Sequence, residues 1–409
     1  MRCSSRHQHW TARAALLAVI VLLAQACAID GSATPGPLTP SPAHRPTPSP
    51  SSCADQTFAR LSEAQRLGQL FLVGQTVPDP DSAGTAHLVQ AEHVGGVVLG
   101  GTGWDSAAKV QHTAQQLQAL ATSQATGGVR LFVAGNQEGG AAGSLQAFYG
   151  PGFSAIPSAL SQGSMDPARL RQEAIIWGTE LRAAGVNLDL APVMDTVPAS
   201  LAAANAPIGS LNREYGHDPA TVAAHGSAFI EGMTAAGVAT TVKHFPGLGR
   251  VQGNTDLVAQ VVDTVASRRD PYLGPFQAGI AAGAGFVMVS LAIYTRLDPV
   301  NPAVFSPAVI QHVLRGDLGF QGVVMSDDLG AAAAVQDVPM PERAVRFLAA
   351  GGDLILTMQP ADVTPMEQAV RARMGADPSF HAQVEEAVHR VLAAKSDLGL
   401  VPGCAARAA

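Results

Sequence analysis

The chain has 409 residues and a net charge of −7, from 25 basic and 32 acidic side chains. A basic footprint for nucleic acid is missing, so we expect no nucleic-acid partner. Hydrophobic residues make up 47% of the chain and charged residues only 14%, at a length that can bury a substantial core. Because charge is scarce, a charged side chain at a structurally special position is a candidate for function.

The N-terminus has the pattern of an export signal. Three arginines in the first 13 residues precede an uncharged, mostly apolar run at 14–26, which ends at Cys27. The run fits the core of a signal peptide and is too short to cross a bilayer. A small residue followed by cysteine resembles a bacterial lipobox, although Gln25 stands where a small residue is usual. The sequence predicts a signal peptide over 1–27 and a lipid anchor on Cys27, with ordinary secretion as the alternative.

A low-complexity segment follows the signal. Seven prolines lie among Ser, Thr, Gly and Ala between residues 28 and 52. Such a segment cannot bury enough apolar surface to fold, so we predict an extended tether over 28–54. The folded domain is predicted over 55–404, with a short tail at 405–409.

Short β-rich apolar runs alternate with helical stretches along the predicted domain. The predicted strands are residues 70–73, 96–99, 131–134, 186–191, 238–243, 286–290, 322–326 and 353–357. The predicted helices lie near 106–122, 166–184, 218–236, 306–315, 337–350 and 379–398. This alternation predicts an α/β fold with a parallel sheet, and eight runs favour a single (β/α)8 barrel of TIM type. An open doubly wound sheet is the alternative, weakened because no Gly-x-Gly-x-x-Gly follows the first strand.

Ionisable residues cluster where the predicted strands end, which is where such barrels carry their chemistry. Asp327 follows the seventh predicted strand, so its carboxylate should point into the barrel mouth, where it can act as a nucleophile toward an anomeric carbon. A helix cap is the alternative role for an acid here, and we assign that role to Asp328.

Three cationic or hydrogen-bonding side chains are candidates to bind sugar hydroxyls. Lys243 and His244 end the fifth predicted strand, and Arg213 could reach the same mouth. The alternatives are a structural salt bridge with a core histidine and, for Arg213, an ordinary surface position. Asp189 and Asp195 are either interior supports or members of the site. No His, Cys, Asp or Glu group shows the spacing of metal ligands, so we predict neither metal nor cofactor.

Two cysteines remain after the signal and the predicted lipid anchor, and an exported protein can oxidise such a pair. The first and last elements of a closed barrel are neighbours. We therefore predict a disulfide between Cys53 and Cys404, with two unrelated free thiols as the alternative.

Several motifs match a known family. Residues 243–249, KHFPGLG, and 322–329, GVVMSDDL, resemble the bacterial β-N-acetylglucosaminidases of glycoside hydrolase family 3. Supporting matches are residues 137–140 (QEGG), 187–195 (NLDLAPVMD), 213–216 (REYG) and 318–320 (LGF). The resemblance spans about residues 58–398, and the signal and tether are similar to the actinobacterial surface-lipoprotein branch. It implies a single barrel that removes terminal β-linked N-acetylglucosamine, with retention of configuration, from cell-wall fragments.

The resemblance also implies roles and exposes departures. Asp327 would be the nucleophile, and Lys243, His244 and Arg213 would hold the sugar together with Asn136, which stands where the family usually has Asp. Two arginines expected soon afterwards are replaced by Ala141 and Ser144. The family's acid/base histidine follows an Asp-Ser pair, and here that triplet is Asn254-Thr255-Asp256.

Asp256 therefore occupies the acid/base position, and we interpret it as the acid/base. Another residue, such as His244 or Glu138, is one alternative, and weak or absent catalysis is the other. The sequence thus predicts an exported, monomeric retaining β-N-acetylglucosaminidase that acts on peptidoglycan-derived sugars. It would reside on the outer face of the cell membrane as a lipoprotein, or be secreted. The rival from a different class is a non-catalytic barrel that binds cell-wall glycan.

Overall fold

The computed structural model describes residues 52–80 and 84–404. The predicted signal peptide, Cys27, nearly all of the tether and the tail at 405–409 lie outside the described residues. The strands are β1 Phe71–Gln75, β2 Gly96–Leu99, β3 Phe132–Gly135, β4 Leu188–Asp189, β5 Ala239–Phe245, β6 Val262–Asp263, β7 Phe286–Val289, β8 Ile293–Tyr294, β9 Asp298–Pro302, β10 Val323–Ser326 and β11 Ile355–Thr357.

The helices alternate with the strands. The α-helices are α1 Cys53–Arg60, α2 Glu63–Gly68, α3 Thr85–Ala91, α4 Ala107–Leu120, α5 Ser123–Thr126, α6 Ala159–Gln162, α7 Pro167–Ala183, α8 Pro219–Ala235, α9 Gly274–Ala281, α10 Met340–Ala349, α11 Val363–Ala376 and α12 Pro378–Asp397. A π-helix spans Ala308–Asp317, and 3₁₀ turns span Gly209–Leu211, Pro271–Leu273, Ala303–Phe305, Ala333–Val335 and Pro360–Asp362.

Eight parallel strands form the barrel in the order β1-β2-β3-β4-β5-β7-β10-β11, and β11 pairs again with β1. A parallel bridge between Met325 and Leu354 closes the ring between β10 and β11, where the Ser326 N–H donates to the Leu354 carbonyl at 3.0 Å. Each of the eight predicted strands corresponds to one barrel strand. The predicted (β/α)8 barrel is confirmed.

The floor of the barrel is filled by apolar and cationic side chains. The rings of Phe132 on β3 and Phe286 on β7 meet edge to face with centroids 5.4 Å apart, and these strands are not neighbours in the sheet. The contact therefore crosses the barrel interior. Lys395 of α12 is buried beneath it and donates to the carbonyls of Gly95 and Arg130. With this end packed, the opposite end is the one that can open to a ligand.

Local sequence explains where the long helices begin. Asp166 accepts hydrogen bonds from the N–H groups of Ala168 and Arg169, with Pro167 in the first turn of α7. Asp218 caps α8 in the same way. Aspartate satisfies the free N–H groups of a first turn, and proline has no N–H to leave unpaired there.

The folded region begins earlier than predicted. Helix α1 begins at Cys53 rather than at residue 55, because Ser52 forms a capping box with Asp55. Cys53 is joined by a disulfide to Cys404, with Cα atoms 6.1 Å apart. In the part of the chain that is described, no helix has the length and apolar composition needed to cross a membrane.

Candidate active site

A cavity of about 390 Å³ lies at the C-terminal ends of the barrel strands. Its walls include the segments that follow β2, β3, β4, β5, β10 and β11. The structure brings all six predicted site residues to this one cavity, namely Asn136, Arg213, Lys243, His244, Asp256 and Asp327.

Asp327 is the residue directly after β10, and its main chain continues the barrel hydrogen bonding. Its N–H donates to the Val289 carbonyl of β7 at 3.1 Å, and its Oδ1 accepts from the Asp328 N–H at 2.8 Å. Burial raises the pKa of Asp327; the neighbouring His244 opposes this rise, and the negative charge of Asp256 adds to it. The carboxylate is therefore fixed in position and within electrostatic reach of both groups.

A network of polar and charged side chains lies beside Asp327, on β5 and on the loops after β3 and β4. Lys243 Nζ lies 2.6 Å from Glu138 Oε1 and donates to Asn136 Oδ1 at 2.9 Å. Arg213 binds Glu138 with two hydrogen bonds, from Nε to Oε2 at 2.8 Å and from Nη2 to Oε1 at 2.7 Å. Glu138 is thus the common anion that positions both cations toward the cavity.

The same contacts determine the charge of Glu138. Burial alone would raise its pKa, but the charges of Arg213 and Lys243 outweigh burial and hold the pKa of Glu138 well below its usual range. A general acid must carry a proton near the working pH. Glu138 is held ionised and is unsuited to that role.

His244 is oriented by a buried aspartate. Its Nδ1 lies 2.7 Å from Asp195 Oδ2, and Asp195 Oδ1 accepts from the Leu248 N–H at 2.7 Å. Asp195 is completely buried, so it is an interior support for the site. With Nδ1 engaged, His244 has only Nε2 to offer to a ligand.

Asp256 lies on the loop after β5 and is exposed. The loop backbone is fixed by the segment after β10, since the Ala333 N–H donates to the Asp256 carbonyl at 3.1 Å and the Ala334 N–H to the Thr255 carbonyl at 3.0 Å. At the start of the loop, a Cβ on Gly249 would lie 1.8 Å from the Thr196 carbonyl oxygen, so only glycine fits this approach. The loop that carries Asp256 is thus docked against the segment that carries Asp327.

The role of Asp328 differs from the helix cap that the sequence predicted. Its carboxylate accepts from the N–H groups of Gly330, Ala331 and Met358, while the next α-helix does not begin until Met340. Asp328 therefore fixes the loops after β10 and β11 and is not a helix cap. The physical reason is that a 3₁₀ turn at Ala333–Val335 separates the strand from that helix.

Asp189 is a second buried support. It ends β4, and its Oδ1 accepts from the Gln137 N–H at 3.0 Å. Burial raises the pKa of Asp189 to about 7. The sequence left open whether Asp189 and Asp195 are interior supports or members of the site. It did not identify Glu138 as the partner of Lys243 and Arg213. Among the described residues, no three His, Cys, Asp or Glu side chains form a group that could hold a metal.

The closed barrel, with its carboxylates and cations gathered at the C-terminal mouth, has the architecture of a TIM-barrel enzyme. The family model for the N-terminal domain of glycosyl hydrolase family 3 matches residues 63–394. The chain belongs to glycosyl hydrolase family 3 and is a glycosidase.

Individual relatives support this assignment. The chain is 41% identical over 247 residues to a β-hexosaminidase of Stenotrophomonas maltophilia, covering 58% of this chain and 70% of the relative. It is 34% identical over 358 residues to the β-N-acetylglucosaminidase/β-glucosidase of Cellulomonas fimi, covering 85% of this chain and 60% of the relative. A crystal structure of a β-N-acetylhexosaminidase from Beutenbergia cavernae matches with a TM-score of 0.79 and 49% identity, over 82% of this chain and 99% of that one.

Proposed function

We propose that this chain is a retaining exo-β-N-acetylglucosaminidase that removes terminal β-linked N-acetylglucosamine from peptidoglycan-derived sugars. The observation that carries the proposal is the position of Asp327, a fixed carboxylate after a barrel strand, in one cavity with Lys243, His244 and Arg213. The names of the relatives support an amino-sugar substrate. The cavity volume of about 390 Å³ lies within the range of small-molecule sites.

The proposed reaction proceeds in two displacements. Asp327 attacks the anomeric carbon, the bond to the leaving oxygen breaks, and Asp256 donates a proton to that oxygen. Water then attacks the glycosyl-enzyme, Asp256 takes a proton from it, and Asp327 leaves as a carboxylate. Two inversions give net retention. Lys243, His244 and Arg213 would donate hydrogen bonds to the sugar. Asp256, left as a carboxylate by the first step, regains its proton from the attacking water in the second.

The test is turnover of an aryl β-N-acetylglucosaminide by the purified domain and by Asp327→Asn. We expect a β-configured initial product by NMR and a loss of rate of at least about 10³-fold in Asp327→Asn. Asp337→Asn, at an exposed acid that does not line the cavity, is the matched control and should keep full activity.

The rival function, a barrel that only binds cell-wall glycan, gives a different result. Wild type and Asp327→Asn would then turn over the substrate equally slowly and bind N-acetylglucosamine equally well. Capture of a glycosyl-enzyme on Asp327 with a 5-fluoro N-acetylglucosaminyl donor, detected by peptide mass, would contradict the rival directly.

The proposal extends to location. We infer from the sequence that Cys27 carries a lipid and that the domain acts as a monomer on the outer face of the membrane. Metabolic labelling with a fatty acid should mark the wild-type chain and leave Cys27→Ser unlabelled. Label retained in Cys27→Ser would contradict the anchor, and a secreted unlabelled wild type would favour ordinary secretion.

A further inference from the structure

Asn136 and Asp327 stand on opposite walls of the cavity. Asn136 directly follows β3, and Asp327 directly follows β10. In the closed ring of eight strands, β3 and β10 are four strands apart in either direction, and both residues line the cavity. A ligand that reaches Asp327 with one end therefore presents its other end to Asn136.

The contact with Lys243 fixes which way the amide of Asn136 is turned. Lys243 Nζ donates to Asn136 Oδ1 at 2.9 Å. An ammonium group has donors and no acceptor, so the atom of the amide that faces it is the oxygen. Within residues 52–80 and 84–404, Lys243 is the one hydrogen-bond partner of the Asn136 side chain. Nδ2, with its two N–H groups, is thus the atom that Asn136 can offer to a ligand.

The carboxylate nearest to this amide is already engaged. Both oxygens of Glu138 accept hydrogen bonds from Arg213, and Oε1 also lies 2.6 Å from Lys243 Nζ. Glu138 is only 3% exposed and does not line the cavity, whereas Arg213 and Lys243 do. The amide and charged groups of this wall therefore offer hydrogen-bond donors to the cavity.

The loop after β3 borders this wall with small side chains. The Ala147 N–H donates to the Asn136 carbonyl at 2.8 Å, which places Ala147 directly beside the amide. Gly143 and Ser144 of the same loop also line the cavity. A substituent of a few atoms next to Asn136 would meet these residues rather than bulky side chains.

The proposed function defines which part of a sugar lies here, and the inference rests on it. With the anomeric carbon C1 against Asp327, the opposite ring atom C4 and its oxygen O4 point to Asn136. We propose that Asn136 is a specificity-determining residue that binds the atom on C4 as a hydrogen-bond acceptor. The site then takes terminal amino sugars whose O4 carries a small ether or ester group, as well as those with a free hydroxyl. A carboxylate at this position would bind only the free hydroxyl, because it has no proton to donate.

The test compares two aryl β-N-acetylglucosaminides with the same leaving group, one with a free 4-hydroxyl and one with a 4-O-methyl group. The readout is the ratio of kcat/KM for the hydroxyl to kcat/KM for the methyl ether. We expect a ratio within about 3-fold of one in the wild type, and a preference for the hydroxyl of about 10–100-fold in Asn136→Asp. Asn301→Asp makes the same change of amide to acid on β9, outside the cavity lining, and should keep the wild-type ratio.

Binding of the free sugars separates this inference from the proposed function. Calorimetry with N-acetylglucosamine and its 4-O-methyl ether should show the same pattern of Kd ratios without any turnover. Equal ratios in the wild type and Asn136→Asp, or rejection of the methyl ether by the wild type by more than about 10-fold, would overturn the role of Asn136. Hydrolysis of the hydroxyl substrate would still uphold the proposed function in that case. The expected binding pattern without hydrolysis of either glycoside would overturn the proposed function and uphold the role of Asn136 in binding.

Discussion

The pKa of Asp327 depends on its burial and on the charged groups around it. Asp327 must be ionised to attack, and burial together with the Asp256 carboxylate raises its pKa above that of an ordinary aspartate. The acidic limb of the pH profile of kcat/KM, measured on an activated aryl substrate, should therefore lie above the ordinary pKa of an aspartate.

The acid/base assignment of Asp256 makes a separate prediction about leaving groups. In Asp256→Ala, the first chemical step should survive with a good leaving group and should slow with a poor one. General acid catalysis is typically worth about 10²–10⁴-fold, so a loss of this size is expected only for poor leaving groups. The measurement is kcat/KM across a series of aryl substrates under conditions where glycosylation limits. Equal losses across the series would indicate that Asp256 binds substrate rather than donating a proton.

At the scale of elements, the barrel strands could be predicted because most are short, largely apolar runs buried on both faces, such as β1, β2, β3 and β10. The three-stranded sheet of β6, β8 and β9 could not be predicted from the sequence. Strands β6 and β8 have two residues each, and β9 (DPVNP) contains two prolines, which interrupt hydrogen bonding in strands. The stretch predicted as a helix at 306–315 is a π-helix at Ala308–Asp317, and its composition gives no signal for this hydrogen-bond pattern.

At the site, residues at strand ends could be predicted, whereas contacts between loops could not. Asp327, Lys243 and His244 could be placed because they end strands whose C-terminal ends must converge. The partnership of Glu138 with Lys243 and Arg213, and that of Asp195 with His244, depends on the paths of the loops after β3 and β4. Sequence spacing does not encode those paths.

Asp353 joins three elements beneath the site. Its carboxylate lies 2.6 Å from Arg315 of the π-helix and 2.9 Å from Arg390 of α12, and it accepts from the Val324 N–H of β10 at 2.8 Å. Asp353 is completely buried, so its loss leaves two arginines without their shared anion.

We expect Asp353→Asn to lower the free energy of unfolding by about 3–5 kcal/mol, the usual cost of breaking a buried ion pair on one side. Urea unfolding of the wild type and the variant measures this difference in the free energy of unfolding. The control is Asp317→Asn, whose partner Arg268 is 58% exposed in its side chain, and a surface pair of that kind contributes at most about 1 kcal/mol. Similar losses in the two variants would contradict a special role for the buried cluster.

At the scale of the whole molecule, the disulfide joins positions 351 residues apart. Helix α1, which begins at Cys53, is also held on α12 by contacts other than the disulfide. The rings of Phe58 and His389 stack with centroids 4.1 Å apart, and His389 Nδ1 lies 3.1 Å from Asp55 Oδ1. A crosslink across so long a loop is worth up to about 5 kcal/mol in the chain-entropy model. The contribution here should be smaller, because terminal segments can fray without unfolding the barrel.

Cys53→Ser should therefore lower the thermal midpoint of the mature domain by several degrees and leave glycosidase activity nearly unchanged. Activity should persist because the cysteines do not line the cavity. A reductant should lower the wild-type midpoint to that of the variant, and should not change the midpoint of the double variant Cys53→Ser/Cys404→Ser. Thiol titration of the wild type under non-reducing denaturation checks the bond itself. Two reactive thiols per chain would show that Cys53 and Cys404 are free and that the disulfide does not form.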